Sequence, residues 1–162
     1  MDTSSLSQKI QESYPVGRDI GFSPWITVDQ AMITKFGEST LDPDPMHVDT
    51  EWVKKNSPYG ETIAFGFLTS SLLTNMLHGA LGTTNAGDVS EFGYFMNYGM
   101  DYLRFLAPVP VNSRIRGQFS ILENRVDKKG RNVLKYACQV VIEDEEQPAM
   151  VAEWLAILMP HK

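Results

Sequence analysis

Within eight positions of this 162-residue chain, Asp42, Asp44 and Asp49 stand with His47 on a segment stiffened by Pro43 and Pro45. Three carboxylates and an imidazole in so short a span suit calcium ligation, transition-metal ligation or proton transfer. A calcium loop counted from Asp42 requires an oxygen ligand where Met46 stands, a glycine where His47 stands and a glutamate where Val53 stands, so that pattern fails. For a transition metal, a single histidine is a thin ligand set. Proton transfer needs less: a carboxylate and a neutral imidazole that reach one water molecule can take a proton from it and return one elsewhere. Asp42 and His47 suit that role, and the prolines between them reduce the backbone entropy lost in holding both groups at one point. A turn in which Asp42 caps a loop and His47 is solvated is the competing reading of the same residues.

Gly66 stands in the first turns of the next helical pattern. A helix start presents unpaired N–H groups and the positive end of the dipole, a place for developing negative charge. Glycine is costly in a helix, so something touches its backbone there; close packing on a sheet is the other physical reason for it. The chain contains no G-x-G-x-x-G, no G-x-x-x-x-G-K-[ST] and no G-x-S-x-G. Cys138, the single cysteine, falls inside an alternating strand pattern and reads as a small core residue. Of the other histidines, His161 lies in the C-terminal tail and His78 near a helix end.

The elements that must position these residues follow from periodicity. Residues 22–26 form a short strand pattern, and Thr27 with Gln30 makes a capping box that opens a helix through about Gly37. The two prolines push Asp42 and Asp44 towards extended backbone and forbid a helix across residues 41–45. A short helix over 50–55 and a long one over 62–78 follow. The long helix is apolar except for one polar stripe of Ser71, Thr74, Asn75 and His78, so it is surrounded rather than laid on a surface. Beyond Gly93 the period changes to two: strands over 94–105, 114–121, 134–142 and 151–159, with a turn at residues 128–130. Four consecutive strands joined by short turns predict an antiparallel sheet, and one buried helix against it is an α+β arrangement.

With 43% hydrophobic residues the chain can bury one core, and residues 1–162 read as a single domain in which 1–21 is an N-terminal extension. The net charge of −6 argues against nucleic acid as a partner. No apolar run approaches the roughly 20 residues a bilayer requires, and one cysteine with no basic-then-apolar start suits a reducing, cytoplasmic home.

Asp42, Pro45, His47 and Asp49 in a D-x-x-P-x-H-x-D pattern, followed by residues 59–70 (YGETIAFGFLTS), resemble the MaoC-like acyl dehydratases, which include (R)-specific enoyl-CoA hydratases and the nodulation protein N group. Asn97-Tyr98-Gly99, Arg104-Phe105 with Pro108-Val109-Pro110, and residues 148–154 (PAMVAEW) extend the likeness over 22–158. The resemblance implies a hot-dog fold, an antiparallel sheet wrapped around a long central helix, and a homodimer. It implies addition of water to a trans-2-enoyl thioester, or its removal, without a separate cofactor or metal. Asp42 and His47 take the acid/base roles, Gly66 the thioester oxygen and Ser71 a place in the cleft. Two departures concern that cleft: Phe65 replaces a histidine usual in the family, and Asp44 stands where many hydratases carry Asn or Gln.

Between Arg104 and Lys135 eight basic residues face only Glu123 and Asp127. Arg104, Arg114 and Arg116 are therefore candidates for the phosphates of an acyl-CoA substrate, the competing reading being a solvated hairpin with basic faces. Two other activities share the fold class: an acyl-CoA thioesterase that directs water at the thioester carbonyl, and a non-catalytic acyl-thioester binding protein.

Overall fold

The computed structural model describes residues 3–83 and 93–159. His161 lies outside the described residues. The chain forms α1 (Thr3–Ser13), β1 (Asp19–Phe22), β2 (Ile26–Thr27), α2 (Gln30–Thr40), α3 (Pro45–Val48), α4 (Thr50–Asn56), α5 (Gly66–Ser71) and α6 (Leu73–Ala80). The strands β3 (Tyr94–Phe105), β4 (Arg114–Val126), β5 (Asn132–Ile142) and β6 (Met150–Met159) complete it.

All strand pairs are antiparallel and the sheet order is β1-β4-β5-β6-β3, with β2 beside β4. Alternation decides which face is dry. Ile115, Gly117, Phe119 and Ile121 point inwards from β4 while Arg116, Gln118 and Ser120 point out, and Leu134, Tyr136, Cys138 and Val140 repeat the pattern on β5. Leu68, Leu73, Met76 and Leu77 of α5 and α6 close the same core. The β4–β5 turn is built by Asp127, whose Oδ1 accepts from the N–H groups of Lys129 (2.8 Å) and Arg131 (3.0 Å). The Arg131 guanidinium beside it draws this carboxyl down to about 2.

Four expectations are corrected. Of the four strands expected to pair in chain order, β4, β5 and β6 do so, but β3 pairs with β6 from Tyr94↔Met159 to Phe105↔Met150 and not with β4. Residues 106–113 carry the chain across to β4, and the Leu106 N–H donates to the Ala149 carbonyl (2.8 Å) on the way. Thr27 caps nothing, since it is paired in β2; Asp29 is the N-cap of α2, accepting from the Met32 N–H at 2.8 Å, and the helix continues to Thr40. The long helix begins at Gly66, not Thr62. The Ala64 N–H donates to the Val109 carbonyl (2.8 Å) and the Val111 N–H to the Thr62 carbonyl (2.9 Å), which holds residues 62–64 extended. Finally, the helix loosens at Leu72, where Ser70 and Ser71 hydroxyls both donate back to the Phe67 carbonyl (3.0 and 2.7 Å). The Leu72 and Met76 N–H groups still reach Leu68 and Leu72, so α6 continues α5.

Residues 1–21, read as an extension, contribute α1 and part of β1. Ile10 and Tyr14 enter the core, and the Asn124 amide donates to both of their carbonyls (3.2 and 2.9 Å).

Candidate functional site

The proline-rich segment divides its carboxylates between structural and free positions. Asp44 is the N-cap of α3, its Oδ1 accepting from the Met46 N–H at 2.9 Å, while Pro45 occupies the first helical position, where no N–H is needed. Asp49 ends α3 through its own N–H to the Pro45 carbonyl and starts α4 by accepting from Glu51 (3.0 Å) and Trp52 (2.9 Å). The exposed Asp42 carboxylate makes no hydrogen bond to any described residue, whereas its backbone N–H is tied to the Gly37 carbonyl at 2.9 Å. Asp44, expected in the cleft, serves as a helix cap.

His47 is half-buried in the last turn of α3. Its Nδ1 lies 2.7 Å from the Ile63 carbonyl, which can only accept, so Nδ1 carries a proton, and of the two neutral tautomers this contact selects the one with its lone pair on Nε2. The imidazole rests on the Phe65 ring, centroids 3.8 Å apart and planes 33° from parallel. Gln30 holds the same residue by its backbone: its amide nitrogen donates to the His47 carbonyl (2.9 Å), and its Oε1 accepts from the buried Thr62 hydroxyl (2.5 Å).

His47 and Gly66 line one cavity of about 380 Å³ with Tyr59, Thr69, Phe105 and Leu106. Gly66 is the first residue of α5, and no side chain caps this helix end. Its N–H therefore lacks a helical partner. A Cβ at Gly66 would stand 2.9 Å from the Phe105 ring, so close packing also requires the glycine. The cavity thus presents an imidazole, a helix-start N–H and an apolar wall.

The exposed Asp42 is not among the residues that line this cavity, and the remaining expected residues also lie elsewhere. Phe65, expected in the cleft, is 5% exposed and lies beneath His47. Ser71 is exposed and lines two other hollows, one with Thr74 and Asn97, the other with Asn75 and His78. The three arginines do not form one patch. Arg104 is on edge strand β3, separated by β6 and β5 from β4, which carries Arg114 and Arg116. That spacing is about 14 Å at ~4.8 Å per strand. Arg114 pairs with Glu143 at 2.6 Å, and the Arg116 guanidinium packs on Phe22 and Trp25, 4.0 and 4.3 Å from the ring centroids. None of the three lines the His47 cavity. Cys138 is buried, and burial pushes its thiol up to about 12. The sequence reading missed Gln30 and the Ile63 carbonyl, because contacts 17 and 16 residues apart leave no local signal.

Known proteins share this architecture and much of this sequence. Residues 11–142 match the family model described as the MaoC like domain. The chain is 39% identical over 143 residues to "Nodulation protein N" of Rhizobium leguminosarum bv. viciae, covering 88% of this chain and 86% of the relative. It is 34% identical over 137 residues to "3-hydroxyacyl-thioester dehydratase Z" of Mycobacterium tuberculosis, covering 85% and 86%. Among solved structures, the monoamine oxidase regulatory protein from "Archaeoglobus fulgius" superposes with a TM-score of 0.75 at 25% identity, covering 93% of this chain and 94% of that one. The sheet and its helix are the α+β hot-dog fold, and the chain belongs to the MaoC-like dehydratase family.

Proposed function

We propose that this chain is an (R)-specific hydro-lyase that adds water to a trans-2-enoyl thioester, or removes it from the 3-hydroxyacyl thioester, with acyl-CoA as the substrate. The observation that carries the reading is the His47 imidazole: its Nδ1–H is committed to the Ile63 carbonyl, and Nε2 is left as the base of a ring that lines a cavity with Gly66. The 34% identity to a protein named as a 3-hydroxyacyl-thioester dehydratase supports the same reaction class.

Asp42 and His47 hold one water over the β-carbon. As the water oxygen attacks, Nε2 takes its proton, and the electron pair of the double bond moves through the α-carbon onto the thioester oxygen. The Gly66 N–H donates to that enolate oxygen, a kind of contact that contributes about 3 kcal/mol. Collapse of the enolate returns the proton to the α-carbon, so the product gains the elements of water and the thioester survives. The working form is a homodimer paired through the long edge strand β3, which exposes Tyr94, Met96, Tyr98, Met100 and Tyr102.

The test is the enoyl-thioester absorbance of crotonyl-CoA followed with wild type, Asp42→Asn and His47→Gln. Wild type bleaches the absorbance without releasing thiol, and each variant is slower by on the order of 10²–10⁴-fold. Equal rates in all three end the assignment, and thiol release turns it into a thioesterase.

A further inference from the structure

We infer that Phe65 is a positioning residue that sets the plane of the His47 imidazole and, through Gly37, its spacing from Asp42; this rests on the acid/base reading above. One hydrogen bond fixes a point of a ring, not its plane. The Ile63 carbonyl holds Nδ1 at 2.7 Å, and the imidazole can still swing about that contact. Phe65 supplies the missing constraint, because its ring lies under the imidazole at 3.8 Å with a tilt of 33°.

The phenyl ring is itself fixed on its other sides. It is 5% exposed and meets the Phe36 ring at 5.3 Å. Its far end presses on Gly37: a Cβ there would stand 3.1 Å from Phe65 Cζ and 3.3 Å from Cε2. The same Cβ would stand 2.9 Å from the backbone oxygen of Asp42, whose N–H donates to the Gly37 carbonyl at 2.9 Å. Phe65 therefore has one face against the histidine and its tip against the residue that anchors the aspartate. Gly37 sits inside α2, where alanine would otherwise favour the helix. Its lack of a side chain is the clearance this arrangement needs.

The experiment uses Phe65→Leu and Gly37→Ala, read by ¹⁵N NMR of the histidine side chains in full-length protein without substrate and by crotonyl-CoA kinetics. Wild type shows one neutral His47 tautomer, with a protonated Nδ1 and an unprotonated Nε2. Leucine keeps apolar volume and loses the flat face. Phe65→Leu keeps the Nδ1-protonated tautomer, broadens the His47 Nε2 signal through exchange between ring planes, and lowers kcat by on the order of 10–100-fold, with KM within about twofold. Gly37→Ala perturbs the same His47 signals and lowers kcat, although its melting temperature does not fall in proportion. Wild-type spectra and kcat in both variants overturn the inference. Loss of folding in Phe65→Leu leaves the decision to Gly37→Ala. Perturbed spectra in a protein inert towards crotonyl-CoA support the positioning role and sink the hydratase reading; normal turnover with unperturbed spectra does the reverse.

Discussion

Asp42, Asp44 and Asp49 are chemically alike and occupy three different environments. Asp44 and Asp49 each accept hydrogen bonds from the first N–H groups of a helix, while Asp42, among the described residues, is held by its backbone alone. Helix caps contribute about 1 kcal/mol each to stability. Asp44→Ala and Asp49→Ala are therefore expected to lower the urea-unfolding free energy by roughly 0.5–2 kcal/mol. Asp42→Asn leaves the urea midpoint where it is and removes turnover. Chemical denaturation beside the crotonyl-CoA assay separates the two classes. The sequence singled out Asp42 and His47 by residue type, but it could not assign Asp44 to a cap. That assignment depends on α3 forming at Pro45, and both an extended loop and a short helix satisfy the proline constraints.

Elements are joined on the outer face of the sheet by Lys135 of β5. Its ammonium lies 2.8 Å from Asp101 of β3, 2.6 Å from Glu123 of β4 and 3.8 Å from Glu153 of β6, so one side chain spans four strands. The Asp101 and Glu123 carboxylates raise the lysine above its ordinary range. Lys135 in turn lowers the Glu123 carboxyl. A carboxyl lowered by folding stabilises above its unfolded value of about 4.3 and loses that contribution as pH falls; a raised lysine stabilises below about 10.4 and loses it as pH rises. Lys135→Met is accordingly expected to lower the melting temperature most between about pH 5 and 10, the difference closing towards either end. A scanning-calorimetry series from pH 3 to 11 checks this, and a gap that does not change with pH contradicts it. The strands themselves were legible as period-two runs, whereas the position of β3 beside β6 was not. Alternation specifies which face of a strand is dry and says nothing about which neighbour it takes.

At the scale of the molecule, β3 has a paired neighbour on one side only among the described residues. These twelve residues of edge, with their exposed aromatic and methionine side chains, are where the proposed second chain would pair. Light scattering behind size exclusion is expected to give twice the 18.2 kDa of one chain. Met96→Lys combined with Tyr98→Lys places two charges on that edge and is expected to shift the mass to a single chain. A monomeric wild type removes the proposed pairing. No helix among the described residues is long and apolar enough to cross a membrane.

Residue type and spacing alone determined the α+β class, the period-two strands and the candidate pair Asp42 and His47, because hydrophobic period and proline stiffness are local properties of the chain; the helix expected to be surrounded instead buries one face and leaves Phe67, Ser71, Thr74 and Asn75 exposed. The tertiary structure decided the rest. The tautomer of His47 follows from a carbonyl 16 residues away, the true start of the helix from hydrogen bonds to residues 109–111, and the buried position of Phe65 from its packing on Phe36, Gly37 and His47. Each of these is a contact between segments whose separation along the chain carries no pattern, so only folding could bring them together.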